Sequence, residues 1–173
     1  MSATNMIRSL APLVLICLGL VGWMAAKNSG VDPVREVDPA STVQLAAARA
    51  GYPVVVPAGL PEGYRPTSAR TDAGTAGAGD PVTLEIGYLT PSEEFAGFAV
   101  SDDARAPAVT AVLDDARQQG TVDLGGQTWT RSTTGRGETV LWREDAGVTV
   151  LVTGSAGEGE LETVAAAVRP YSG

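Results

Sequence analysis

The chain has 173 residues, 44% hydrophobic and 18% charged, with 21 Gly and 11 Pro, a content of turn formers below the roughly 25–30% that marks low-complexity chains. Twelve Lys and Arg against twenty Asp and Glu give a formal charge of −8, so the basic patch through which counterion release drives nucleic-acid binding is missing and no nucleic-acid partner is expected. There is no His, and Cys17 is the sole Cys, which removes the commonest general base, the usual transition-metal ligands and any thiol nucleophile outside the apolar N-terminus.

Residues 9–26 carry no charge and are mostly aliphatic: Leu10, Leu13, Val14, Leu15, Ile16, Leu18, Leu20 and Val21, followed by Trp23. As a helix this stretch is about 27 Å long, close to the hydrocarbon thickness of a bilayer. Arg8 and the amino terminus flank one end, and Trp23 and Lys27 suit the headgroup level at the other. The expectation is a single-pass anchor in the lipid bilayer, with residues 1–8 cytoplasmic and the rest of the chain extracytoplasmic, because a signal-like first segment delivers a long C-terminal domain across the membrane. Two alternatives compete with it. Cleavage after Ala25 or Ala26 would put Trp23 or Met24 where a small residue is needed. A lipoprotein would need a small residue before Cys17, where Ile16 stands, so Cys17 reads as an apolar membrane residue.

Residues 27–37 form a linker, and residues 38–173 form one domain's length. With Arg8 and Lys27 set aside, ten Arg face all twenty carboxylates, a charge of −10 that repels anionic headgroups. Asp38-Pro39 starts a short Ala-rich helix to Ala50, with Gly51 expected to close it in the left-handed conformation. Val54-Val55-Val56, between Pro53 and Pro57, reads as a short edge strand. Residues 57–64, Pro-Ala-Gly-Leu-Pro-Glu-Gly-Tyr, make a rigid turn. Residues 65–71 continue as a strand, and 72–80 read as a Gly/Ala loop too small to pack. Val82, Leu84, Ile86 and Tyr88 then alternate with Thr83, Glu85 and Gly87, the period-two signature of a strand buried on one face.

Residues 90–94 turn that strand, and 95–101 return as its antiparallel partner. After Pro107, the positions Val109, Val112, Leu113 and Ala116 recur at helical spacing, with Gly120 expected as the stop. Residues 121–124 and 127–132 form a hairpin over Gly125-Gly126. Residues 138–143 and 148–153 form a second across 144–147. A helix from about Glu158 carries Leu161, Val164, Ala165 and Val168 and is stopped by Pro170. The predicted fold is α+β: a mainly antiparallel sheet with helices packed on one face. Strands followed by a helix occur twice, a weak hint of duplication.

These elements, with Arg65-Pro66-Thr67-Ser68 after the turn, Ile86-Gly87-Tyr88-Leu89-Thr90-Pro91 at a strand end and Thr149-Val150-Leu151-Val152-Thr153-Gly154 before the last helix, carry a resemblance over nearly the whole chain. It resembles an actinobacterial family of single-pass membrane proteins with an uncharacterised extracytoplasmic domain, domain of unknown function 4245. Scarce Lys beside abundant Ala, Gly, Val and Arg suits a high-GC genome. Leu60-Pro61-Glu62-Gly63-Tyr64 is also similar to turns in cell-envelope regulators that bind the outer segment of a membrane partner. The resemblance implies no catalytic residues.

The doublets Glu93-Glu94, Asp102-Asp103 and Asp114-Asp115 could pair carboxylates for acid–base work or calcium, but adjacent strand residues point apart and no calcium-loop spacing is present. Residues 74–79 superficially resemble a phosphate cradle yet lack the following Lys. Ser132, Thr133 and Ser155 have no His to activate them. Glu85 falls on the face opposite Leu84 and Ile86, toward solvent. No cofactor or metal is expected. Trp129, Trp142, Tyr64, Tyr88, Phe95 and Phe98 read first as core in a domain so rich in Ala and Gly; a binding surface edged by Tyr64 and Trp129 is the sharper alternative. The functional expectation is a membrane-anchored, extracytoplasmic, non-catalytic interaction module of the cell envelope with a protein or cell-wall partner. The alternative is a carrier for a lipid or wall precursor, which requires a cavity above roughly 300 Å³ between sheet and helices. An enzyme, limited to carboxylates, hydroxyls and Arg, is not expected.

Overall fold

The alternation from Val82 to Tyr88 becomes β3 (Thr83–Leu89), whose inward side chains Leu84, Ile86 and Tyr88 are buried while Glu85 is exposed. This strand sits in a computed structural model that describes residues 35–173. The expected cytoplasmic residues 1–8, the anchor at 9–26 with its nine named side chains, and the linker up to residue 34 lie outside the described residues. Among the described residues no helix is long and apolar enough to cross a membrane.

Seven strands form one antiparallel sheet: β2 (Arg65–Thr71), β3, β4 (Phe95–Ser101), β5 (Arg117–Leu124), β6 (Gln127–Thr133), β7 (Thr139–Asp145) and β8 (Val148–Thr153), in the order β2-β3-β4-β8-β7-β6-β5. Two meanders therefore meet at the β4–β8 pair. Three helices accompany them: α1 (Ala40–Arg49), α2 (Pro107–Leu113) and α3 (Glu158–Ala166). A separate antiparallel ribbon joins β1 (Val55–Pro57) to β9 (Val168–Pro170). The chain is α+β with a mainly antiparallel sheet, as the sequence predicts.

The helices do not share one face, which corrects the expectation. In the register, Phe98 stands opposite Val152 and Ala99 opposite Leu151, so these two pairs project to opposite sides of the sheet. The first side packs Leu84, Ile86, Phe98, Val150, Val152 and Trp129 against Val43 and Ala46 of α1 and Leu161, Val164 and Ala165 of α3. The second side packs Ala99, Leu151 and Trp142 under Ala106 and Val109 at α2. β4 and β8 are apolar on both faces, and a strand of that kind needs cover on both.

Other details also depart from the reading. Gly51 has no positive φ; α1 ends at Arg49, and its capping residue Ala50 turns extended while the Ala50 amide donates to the Ala46 carbonyl at 2.8 Å. Gly120 lies inside β5 at a bulge rather than stopping α2. Val168 does not extend the last helix, because it enters β9, where Pro170 tolerates the missing donor opposite Val55. The loop 72–80 does pack: Ala73 is fully buried, and the Asp72 carboxylate accepts the Thr83 amide at 2.7 Å. The second hairpin turns on Ala146-Gly147 alone, both at positive φ. Arg131 of β6 bridges Glu158 and Glu162, tying α3 to the sheet.

Candidate functional site

On the α2 side the sheet is built from small residues where β3 meets β4: Gly87 stands opposite Gly97, and Ala99 follows. α2 covers Ala99 and Leu151. Beyond it a groove of about 510 Å³ stays open, with Ala108, Ala111 and Val112 of α2 on one wall and Phe95 on the other. Phe95 is 46% exposed, one of two large hydrophobic side chains exposed among the described residues. Its ring lies over both glycines: a Cβ on Gly87 would come within 2.8 Å of Cε2, and one on Gly97 within 3.1 Å of Cε1. An aromatic laid over sheet glycines covers backbone that would otherwise be bare.

The Phe95 backbone is fixed on both sides. Its amide donates to the Ser155 hydroxyl at 3.1 Å, that hydroxyl donates to Glu94 at 2.6 Å, and the Ala156 amide donates to the Phe95 carbonyl at 3.0 Å. The groove's rim is polar, formed by Ser68, Arg70 and Glu85 with Thr153. Arg70 and Glu85 are cross-strand neighbours. An apolar, aromatic-walled floor with opposite charges at its edge can bury an apolar segment and orient polar groups beside it.

A second depression of about 570 Å³ lies on the other face of the sheet, between the β7–β8 turn, the Gly125 turn and the β1–β9 ribbon. Arg143 and Arg169 line it together with Asp145, Tyr52 and apolar Val150 and Val168.

The residues singled out in the sequence are distributed differently. Trp129 is fully buried in the main core, the first role its residue type suggests, and edges no surface. Tyr64 is half-buried against that core and donates to the Glu160 carbonyl at 3.3 Å. Neither lines the two depressions described above. Tyr88 and Phe98 are core, while Phe95, grouped with them in the sequence, is the exposed residue. Its signal was its position: it shares a face with Gly97 and Ala99, not with Phe98 and Val100.

Of the acidic doublets, Asp102-Asp103 serves the backbone. Asp102 accepts the Val82 amide at 2.7 Å, and Asp103 accepts the Arg105 amide at 2.8 Å. Ser132 accepts the Trp142 indole N–H at 3.2 Å. Glu85 is exposed as expected, but it borders the groove. Glu160, not singled out by the sequence, accepts the Thr90 hydroxyl at 3.0 Å and the Ser92 amide at 3.1 Å. Burial alone would raise its carboxyl pKa, but these hydrogen bonds outweigh burial and hold it below the usual value. It thus staples α3 to the β3–β4 turn.

Residues 1–168 match the family model described as Protein of unknown function (DUF4245), and the chain belongs to that family. No curated protein matches the chain.

Proposed function

We propose that this member of the DUF4245 family is a membrane-anchored, extracytoplasmic interaction module of the cell envelope, and that the groove beside α2 is where it grips a protein or cell-wall partner without catalysing a reaction. The observation that carries the reading is Phe95. A large aromatic left half in solvent, over a glycine floor and beside a helix wall, is the kind of anchor that contributes most to recognition surfaces. The anchor itself rests on the composition of residues 9–26.

Pull-down of the full chain from detergent-solubilised native membranes tests the proposal. A stoichiometric partner is expected, and Phe95→Ser is expected to lose it while melting at nearly the same temperature. Recovery of free monomer alone, or of the same partner by Phe95→Ser, would count against it.

The size of the groove favours a second reading. At about 510 Å³ it falls within the roughly 300–1,000 Å³ range of small-molecule sites, so a lipid or wall precursor could be the occupant. Native mass spectrometry of the purified full chain separates the two: a retained small mass supports carriage, and a protein adduct supports the interaction module.

A further inference from the structure

The second depression has a charge character that the groove lacks. The domain is strongly acidic, yet two of the ten arginines among the described residues converge there, and the only ion pairs within 4 Å among those residues are those of Arg131. Arg143 projects from β7 on the same face as Val150, its register partner. Its guanidinium carbon sits 5.4 Å from the centre of the Trp129 ring, and its Nε is buried without an acceptor. The guanidinium donates no hydrogen bond to any described residue. Stacking on indole stabilises and orients such a cation but leaves its donors unmet.

Arg169 is oriented by another device. One terminal nitrogen donates to the Ala166 carbonyl at 2.6 Å and the Val168 carbonyl at 2.8 Å, which fixes the side chain at the end of α3 and leaves its other nitrogen donors free of protein acceptors among the described residues. Two preoriented guanidinium groups beside an apolar wall of Val55, Val148, Val150 and Val168 suit one kind of ligand. Planar forks match carboxylate and phosphate oxygens, and the valines match a hydrocarbon chain. Asp145 on the same rim offsets one of the two positive charges, leaving a net charge matched to a singly charged head.

The geometry points to a binding site for a free anionic amphiphile, a carboxylate- or phosphate-headed molecule with a short apolar chain, held by Arg143 and Arg169 on the face of the sheet opposite the groove. It is independent of the partner reading above.

Calorimetric titration of the full chain in a neutral maltoside detergent tests it, with octyl phosphate, octanoate, inorganic phosphate and uncharged octyl glucoside as probes. Saturable binding of octyl phosphate or octanoate is expected, tighter than that of inorganic phosphate. Arg169→Gln, at an exposed position where folding is not at risk, is expected to weaken it about tenfold, the worth of one charge-assisted hydrogen bond. Arg143→Gln is expected to do the same in protein whose near-ultraviolet circular dichroism is unchanged. Asp145→Asn is expected to tighten it, which a merely structural role would not produce. Absence of saturable binding by either anionic amphiphile overturns the site, as does equal binding of octyl glucoside or unchanged affinity in Arg169→Gln. Inorganic phosphate binding as tightly as octyl phosphate overturns the amphiphile assignment.

Discussion

The ring of Phe95 covers Gly87 so closely that a single methyl group there would lie 2.8 Å from Cε2 and 2.6 Å from the Ser68 hydroxyl. Gly87 and Phe95 thus form one element: the glycine makes the floor, and the ring takes its place on it only because no side chain stands there.

Gly87→Ala is expected to lift the ring or displace Ser68 and to lower stability by about 1–3 kcal/mol, the usual cost of overpacking. It should weaken partner capture at the same time. Gly120→Ala, where an added Cβ meets nothing within 4 Å, is the control and should change stability by no more than about 0.5 kcal/mol. Chemical denaturation of both variants checks the pair.

The turn at residues 57–64 is expected to organise the fold rather than to touch a ligand. Gly63 has φ +96°, and an added Cβ there would also approach Pro91 Cγ to 3.0 Å. Gly63→Val should therefore cost at least about 1–2 kcal/mol from the left-handed backbone alone. Glu62 is exposed, and Glu62→Ala should change stability by less than about 1 kcal/mol. Thermal melts of the two variants test the contrast; loss of partner capture in Glu62→Ala at an unchanged melting temperature would make the turn a recognition element instead.

Glu160 predicts an acid dependence. Its carboxyl pKa in the folded chain is below the ordinary value, so the unfolded chain binds a proton more readily and stability rises with pH across this interval. The contribution is complete above about pH 4.3, the unfolded value, and disappears as pH falls through the lower folded value. Denaturation midpoints should therefore drop below about pH 4.3, and Glu160→Gln should flatten part of that drop while lowering stability at neutral pH. An unchanged pH profile in Glu160→Gln would contradict the staple.

Trp129 fills the main core under Arg143, so Trp129→Ala should cost about 3–5 kcal/mol. Urea titration reads this directly. A loss below about 1 kcal/mol would show that the site collapses around the missing indole.

Much of this fold is legible in the sequence because local signals agree with the global sheet. The Val82, Leu84, Ile86, Tyr88 alternation marks β3, and Gly125-Gly126 supplies the two positive φ angles of the β5–β6 turn. The departures come where a tertiary contact decides. Pro170 reads as a helix stop, but only the presence of β1 turns Val168 and Arg169 into a strand. α2 crosses to the second face because Ala99 and Leu151 need cover there, a demand visible in the runs Phe-Ala-Gly-Phe-Ala-Val and Val-Thr-Val-Leu-Val-Thr only once they are read as strands apolar on both sides. Tyr64 and Trp129 stand in the sequence as aromatics without a face to place them on. Phe95 reads as core in the sequence because its exposure depends on two glycines from neighbouring strands meeting beneath it.

If the groove beside α2 meets a partner, crosslinking from its wall reports the contact most directly. A photoactivatable phenylalanine placed at Ala111, an exposed position on the groove wall, and separately at Asp123, exposed on β5, tests it in native membranes. A discrete crosslinked adduct is expected from position 111 and none from position 123; adducts from 123 alone, or from neither position, rule out the groove as the interface.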